Sequence, residues 1–241
     1  MKQIKYLWLV LIFTACSGPS FFKEISKPKK TNYQLFEDNA INEIVAPYKA
    51  ALVAEMSEVI GKAETELLKA KPESLLTNFL ADAILSVTQK EMEVDICLLN
   101  YGGIRLPSIG AGAITTGQIY ELLPFDNYLS VLTFNKAELE GFANHIASLG
   151  GWPVSKQLNF VIDTAQQIAK NISFNGVVLN DTTNYTIVLP DYIANGGDNC
   201  SMLADLPRTD LPILLRDAMI DYFLDNKQTV NPVLDQRLKY E

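Results

Sequence analysis

Val94-Asp95-Ile96-Cys97-Leu98-Leu99-Asn100-Tyr101-Gly102-Gly103-Ile104-Arg105 is a short apolar run that breaks into a polar loop with two glycines. Val94–Leu99 reads as a buried strand. The glycines let the backbone turn sharply and come close to a ligand. Arg105 offers a fork to phosphate or carboxylate. A strand-ending turn with a surface arginine fits the same residues. A second loop repeats the pattern after a strand-like run at Tyr185–Leu189: Asp191-Tyr192-Ile193-Ala194-Asn195-Gly196-Gly197-Asp198. It presents a ring, an amide and a carboxylate, and a carboxylate accepts hydrogen bonds from a sugar diol. A plain Asn-Gly-Gly-Asp turn is the bland alternative. A third loop, Leu123-Pro124-Phe125-Asp126-Asn127, puts an aromatic among polar residues. Such a ring is a core anchor or a ligand-facing surface, the core being the commoner place. Taken together, Phe125, Tyr192, Asn100, Arg105 and Asp198 make a nucleoside site, with Gly102, Gly103, Gly196 and Gly197 shaping its loops. Two rings can clamp both faces of a base, each stack being worth roughly 1–3 kcal/mol.

The surrounding chain alternates helices and strands. Residues 40–57 carry apolar residues at helical spacing, with Pro47 inside. Val59-Ile60-Gly61 reads as a short strand. Residues 73–90 are a strongly amphipathic helix with Leu75, Leu76, Phe79, Leu80, Ala83, Ile84 and Val87 on one face and Pro72 and Glu73 at its first turn. Thr116–Leu123 reads as a helix stopped by Pro124, and Tyr128–Phe134 as a strand. Asn135 caps a helix over 136–148, which Gly150-Gly151 ends. Asn159–Asp163 and Ile172–Leu179 are further strand-like runs, with a hairpin signal at Asn175-Gly176. A last helix is expected over 211–225, with Leu214, Leu215, Met219 and Phe223 inward. The order argues a mixed α/β (α+β) domain over 39–241.

The 241 residues carry 20 Lys and Arg against 28 Asp and Glu, and this acidic balance argues against a nucleic-acid binder. There is one histidine, His145, whereas most metallohydrolase centres need several imidazoles. His145 falls within the 136–148 helix and reads as a structural or surface residue. At the N-terminus, Lys2 and Lys5 precede an uncharged run, Tyr6–Ala15, that ends on Cys16-Ser17. The run is too short to span a bilayer, which needs about 20 residues as a helix, and it reads as a signal segment over 1–15. Its end resembles a bacterial lipobox, with Phe13 bulkier than usual; the resemblance implies cleavage before Cys16 and lipidation there. Residues 16–38 then read as a tether, and the expected place is the cell envelope, lipid-anchored at the outer membrane and facing the periplasm. Cys97 and Cys200 remain to pair or to stay as buried thiols.

From about residue 45 to 240 the chain resembles the C-terminal, substrate-binding domain of the 5'-nucleotidase family, which also includes UDP-sugar hydrolases and cyclic phosphodiesterases. The marks are Glu73-Ser74 with Asn78-Phe79-Leu80-Ala81-Asp82-Ala83, Asn100–Arg105, Gly112-Ala113-Ile114-Thr115-Thr116-Gly117, Leu123–Asn127 and Tyr192–Asp198, in order and at fitting spacing. The resemblance implies a four-layer α/β/β/α domain. It implies that Phe125 and Tyr192 sandwich a nucleobase, that Asp198 holds the ribose hydroxyls, that Arg105 faces the phosphate and that Asn100 lies in the same pocket. Pro72 stands where the family often carries a further arginine, Thr77-Asn78-Phe79 replaces Gly-Asn-Leu, and Tyr101 replaces a glycine. A weaker or different phosphate grip follows.

In that family an N-terminal domain holds two metals that activate water. This sequence has no Asp-x-His or Gly-Asn-His-Glu element. The expectation is therefore the substrate-binding half of a split 5'-nucleotidase. It binds nucleotide or nucleoside and no cofactor or metal of its own, and a separate metallophosphatase chain supplies the divalent metals. A non-catalytic nucleotide-binding lipoprotein and a structural lipoprotein with a drifted pocket are the alternatives.

Overall fold

The computed structural model describes residues 39–226 and 229–241. The expected signal segment 1–15, Cys16 and the expected tether to residue 38 lie outside the described residues. Residues Ile44–Glu241 form one compact unit, which holds the three loops.

Helix α1 spans Asn39–Met56 and takes Pro47 inside it. Strands β1 (Val59–Ala63) and β2 (Leu67–Leu68) lead to helix α2 (Leu75–Glu91). Strands β3 (Ile96–Cys97), β4 (Ser108–Ile109) and β5 (Gly112–Thr115) precede α3 (Thr116–Leu122), β6 (Tyr128–Phe134) and α4 (Lys136–Ser148). Then come β7 (Leu158–Asp163), β8 (Ile168–Phe174), β9 (Val177–Val178), β10 (Tyr185–Pro190) and the short α5 (Asp191–Ala194). The chain ends with β11 (Arg208–Leu214), α6 (Leu215–Asn226), β12 (Thr229–Val230) and β13 (Leu238–Tyr240).

The central sheet has the order β11-β6-β10-β3, with β10 and β3 parallel and β6 antiparallel to β10. Strands β6, β10 and β3 are buried on both faces and are mostly apolar, whereas the edge strand β11 is partly exposed. Cys97, Val131 and Val188 face one core, which α2, α3, α6 and β1 complete. Ile96, Leu98, Leu132, Phe134 and Ile187 face a second core. That core is closed by α4 and by the sheet β13-β7-β8-β9. The result is the mixed α/β architecture expected from the order of elements.

Local chemistry sets the ends. Asn135 accepts from the Glu138 N–H and Glu138 returns a bond to the Asn135 N–H, a capping box that starts α4. Gly150 and Gly151, both at positive φ, close it by donating to Ala147 and Ile146. Two expectations need correction. The helix expected over 73–90 begins at Leu75, because Ser74 is its N-cap and forms a capping box with Thr77. Pro72 and Glu73 therefore precede the first turn. The helix expected over 211–225 begins only at Leu215. Residues 211–214 belong to β11, an edge strand whose register on β6 shifts between Asp210 and Leu214. An edge position with an irregular register is where a strand tolerates a proline such as Pro212. Leu214 is half-buried, while Leu215, Met219 and Phe223 are buried as expected. The run Ile172–Leu179 is two strands, β8 and β9, folded at Asn175-Gly176.

Cys97 and Cys200 are both buried free thiols. Burial pushes the Cys97 thiol well up, and burial with the nearby Asp198 charge pushes Cys200 up to about 12. They lie in different cores, Cys97 in the first and Cys200 in the second.

Candidate functional site

The sheet topology brings the three loops together. Strands β3 and β10 are parallel neighbours, so the loops that leave their C-terminal ends, 100–105 and 191–198, emerge at one end of the sheet. Strand β6 runs the other way, with Leu129 opposite Pro190, so loop 123–127 enters it at that same end. Ligands of open α/β sheets sit at such carboxyl ends.

There, Asn100, Gly102, Gly103, Arg105, Phe125, Asn127, Tyr192 and Asp198 line a cavity of about 340 Å³. Phe125 and Tyr192 are 47% and 45% exposed, which takes Phe125 out of the core, where ring frequencies alone would put it. Arg105 is exposed, its guanidinium 5.8 Å from the centre of the Phe125 ring, and it donates to the Gly102 carbonyl at 3.3 Å.

Asp198 is the hub. Its Oδ2 accepts from the Asn100 amide at 2.9 Å and its Oδ1 from the Tyr192 hydroxyl at 3.0 Å. A carboxylate has about four lone-pair sites, so both oxygens can still accept from a ligand. Asp198 sits at φ 50°, and Asn199 follows at φ 65°. Acids and amides tolerate this left-handed region best after glycine. The Asp198 carbonyl is held by His145 Nε2 at 3.0 Å. His145 is partly buried and packs edge-to-face on Trp152. The single histidine therefore fixes the backbone of the hub residue.

Two glycines are required by close approach. A Cβ on Gly103 would stand 2.7 Å from Asn100 Oδ1, and one on Gly197 would stand 2.5 Å from the Tyr192 ring. Gly196, at φ 92°, turns the chain ahead of them and, like Gly197, stands behind the cavity rather than on its wall.

The loop bearing Phe125 is clamped to α6. Arg216, with its side chain 9% exposed, donates to Asp126 Oδ1 at 2.8 Å and stacks 4.3 Å from the Tyr120 ring centre. The Leu215 N–H donates to the Asn127 carbonyl at 2.8 Å. Burial alone would lower the Arg216 pKa, but the Asp126 hydrogen bond and charge hold it above its ordinary value.

A family model described as "5'-nucleotidase, C-terminal domain" matches residues 59–205. The chain belongs to the 5'-nucleotidase C-terminal domain family. Among solved structures, a 5'-nucleotidase precursor from Thermus thermophilus superposes with a TM-score of 0.69 at 28% identity, over 84% of this chain and 43% of that one. Protein UshA of Yersinia enterocolitica is 26% identical over 199 residues, covering 77% of this chain and 35% of the relative. A 5'-nucleotidase of Vibrio cholerae is 26% identical over 180 residues, covering 72% and 32%. This 5'-nucleotidase C-terminal domain thus spans about a third of the length of these curated relatives. Among the described residues, no group of three or more His, Cys, Asp or Glu side chains is arranged to hold a metal ion.

Sequence reasoning named the cavity wall but missed its supports. Asn127 stands in the loop already singled out but was not named as a site residue, and nothing local marks Arg216 or His145 as parts of the site. In this 5'-nucleotidase C-terminal domain, Arg216 reaches its partner 90 residues away and His145 reaches Asp198 53 residues away. The marks Glu73, Asn78 and Asp82 serve elsewhere. Asn78 donates to Glu73 and to the Val233 carbonyl, and Asp82 holds Arg237, so they fasten the C-terminal segment.

Proposed function

We propose that this chain is the substrate-binding half of a split 5'-nucleotidase. In this reading Phe125 and Tyr192 clamp a nucleobase, Asp198 accepts from the ribose hydroxyls, Arg105 holds the phosphate and Asn100 keeps the Asp198 carboxylate turned toward the sugar. The observation that carries it is the convergence of two half-exposed rings, a carboxylate and an arginine on one cavity. Stacking supplies affinity without demanding a particular base, and the carboxylate supplies preference for a diol.

Among the described residues no group of donors is arranged to hold a catalytic metal. The chain's own work is to bind the nucleotide and present its phosphate. A separate metallophosphatase chain supplies the divalent metals and the attacking water. Anchoring at Cys16, on the periplasmic face of the outer membrane, would confine both chains to one surface. Confinement raises effective concentration, so a weak interface suffices.

Ligand-observed NMR on the purified chain tests the binding half of this reading. Adenosine and AMP are expected to show saturation transfer, and Phe125→Ala is expected to weaken both by about tenfold or more, the loss of one stacking face. A folded wild-type chain that binds no nucleoside would remove the reading. The catalytic half has its own assay. The chain alone, with any divalent metal, is expected not to hydrolyse AMP. Turnover that disappears in Arg105→Ala would show that this chain needs no second one.

A further inference from the structure

The two rings of the proposed clamp sit on loops far apart in sequence, yet one short segment holds both. Strand β11 and the start of α6 run from Arg208 to Arg216. At one end, Arg208 Nη1 donates to the side-chain carbonyl of Asn195 at 2.8 Å, in the loop that carries Tyr192. At the other, Arg216 Nη2 donates to Asp126 Oδ1 at 2.8 Å, beside Phe125. The Leu215 N–H adds its bond to the Asn127 carbonyl. Each ring-bearing loop is thus tied to an arginine of the same segment.

Both ties are braced from behind. Arg208 Nε stands 3.1 Å from Asp210 Oδ1, and that oxygen also accepts from the hydroxyl of Ser130, a fully buried residue of β6. Arg216 lies against the Tyr120 ring with its side chain 9% exposed. A guanidinium is a rigid fork and loses little freedom per bond made. Between the two arginines β11 bulges. Asp210 lies opposite Ser130 and Leu214 opposite Tyr128, so the stretch from Asp210 to Leu214 on β11 matches the shorter one from Tyr128 to Ser130 on β6. Bulges bend a strand and re-aim its side chains, and they are common beside functional sites. Leu211 and Ile213, inside the bulge, pack against the first core. That packing resists sliding of β11 along β6, so the fold and not the loops fixes where the two guanidinium groups stand.

Neither tie forms part of the cavity wall: Asn195, Asp126, Arg208 and Arg216 all stand outside it. A loop without such a tie would have to become ordered as the ligand arrives, and that ordering costs affinity. We infer that Arg208 and Arg216 are positioning residues that set the gap between Tyr192 and Phe125, so that a base enters a preformed slot. The inference rests on the base-clamp reading and adds to it that the segment 208–216 is the frame of the clamp.

Calorimetric titration of the full chain with adenosine tests it, on variants that cut each tie from the loop side. Asn195→Ala and Asp126→Ala are each expected to weaken binding about three- to tenfold, the cost of ordering a loop and its ring on binding. Asn195 is exposed and its N–H bonds the Asp191 carbonyl whatever its side chain, so its variant leaves the fold in place. Asp126→Asn keeps an oxygen that accepts from Arg216 and should recover most of what alanine loses. Two further backgrounds separate positioning from general loosening. Asn195→Ala should cost nothing more in a Tyr192→Ala background, and Asp126→Ala nothing more in a Phe125→Ala background, because the ring that each tie positions is gone. A tie that merely supports the fold would weaken binding equally with and without its ring. If adenosine binds and Phe125→Ala weakens it, while the tie variants keep wild-type affinity or lose as much in the backgrounds without their rings, this inference fails and the base clamp stands. If the folded wild-type chain binds no adenosine, both readings fail.

Discussion

Arg237→Ala is expected to lower the melting temperature by about 6–12 °C. Arg237 is 2% exposed yet carries a full charge. It donates to both oxygens of Asp82, at 2.9 and 3.0 Å, to both oxygens of Asp235, at 2.8 and 2.7 Å, and to the Val154 carbonyl at 2.9 Å. Its own carbonyl accepts from the Phe160 N–H, next to the pairing of β13 on β7. Removing one member of a buried ion pair costs about 3–5 kcal/mol, since the other is left buried and uncompensated. Asp82 and Asp235 keep 35% of their side-chain surface in water, which places the loss near 3 kcal/mol, the lower end of that range. In a domain of this size each kcal/mol shifts the midpoint by about 2–4 °C.

Two variants and one pH series separate charge from packing. Arg237→Met keeps the apolar stem and should lose nearly as much as alanine. Arg237→Lys keeps a charge without the fork and should fall between. Burial alone would raise the Asp235 carboxyl, but the Arg237 hydrogen bond and charge hold it below its ordinary value. A carboxyl depressed in the folded state stabilises above its unfolded pKa, about 3.9. That contribution fades as pH falls through the lower folded value. The gap between wild type and Arg237→Ala should therefore be full at neutral pH and narrow in acid. A methionine variant as stable as wild type would mean that only the stem matters.

How much of this was readable depends on whether a residue's reason for being where it is lies nearby in sequence. Strand β6 and helix α4 fall on their expected residues, because the capping box at Asn135 and the paired glycines that close α4 are local signals. The cavity wall is legible for the same reason: Asn100, Arg105, Phe125, Tyr192 and Asp198 sit in loops whose glycines and rings announce turns. The four residues before α6 are not, because the apolar period of that helix runs back into them and only pairing with β6 makes them strand. Strands β12 and β13 are two and three residues long and exist only through pairing with β1 and β7. Arg208 and Arg216 look like ordinary surface charges until the fold places each against a ring-bearing loop.

Asp198→Asn is expected to weaken adenosine binding about a hundredfold while leaving the fold intact. The substitution is chosen for the backbone. At φ 50° asparagine is as comfortable as aspartate, whereas alanine adds about 1–2 kcal/mol of strain. The surrounding bonds can also be kept in part. The asparagine carbonyl still accepts from Asn100 or Tyr192, and the tyrosine hydroxyl can reverse its role and accept. What is lost is the charge and one acceptor facing the cavity. Hydrogen bonds to a charged group contribute about 1.5–3 kcal/mol each, and about 1.4 kcal/mol is tenfold. Two such bonds to a diol, partly replaced by neutral ones, give the hundredfold figure. A comparison ligand makes the assignment specific. Wild type should bind 2',3'-dideoxyadenosine far more weakly than adenosine, and Asp198→Asn should bind the two nearly alike. Equal affinity for both ligands in wild type would mean that Asp198 only braces Tyr192, and the diol contact would have to be sought elsewhere on the cavity wall. The stacking reading would survive that result, because Phe125 and Tyr192 act on the base and not on the sugar.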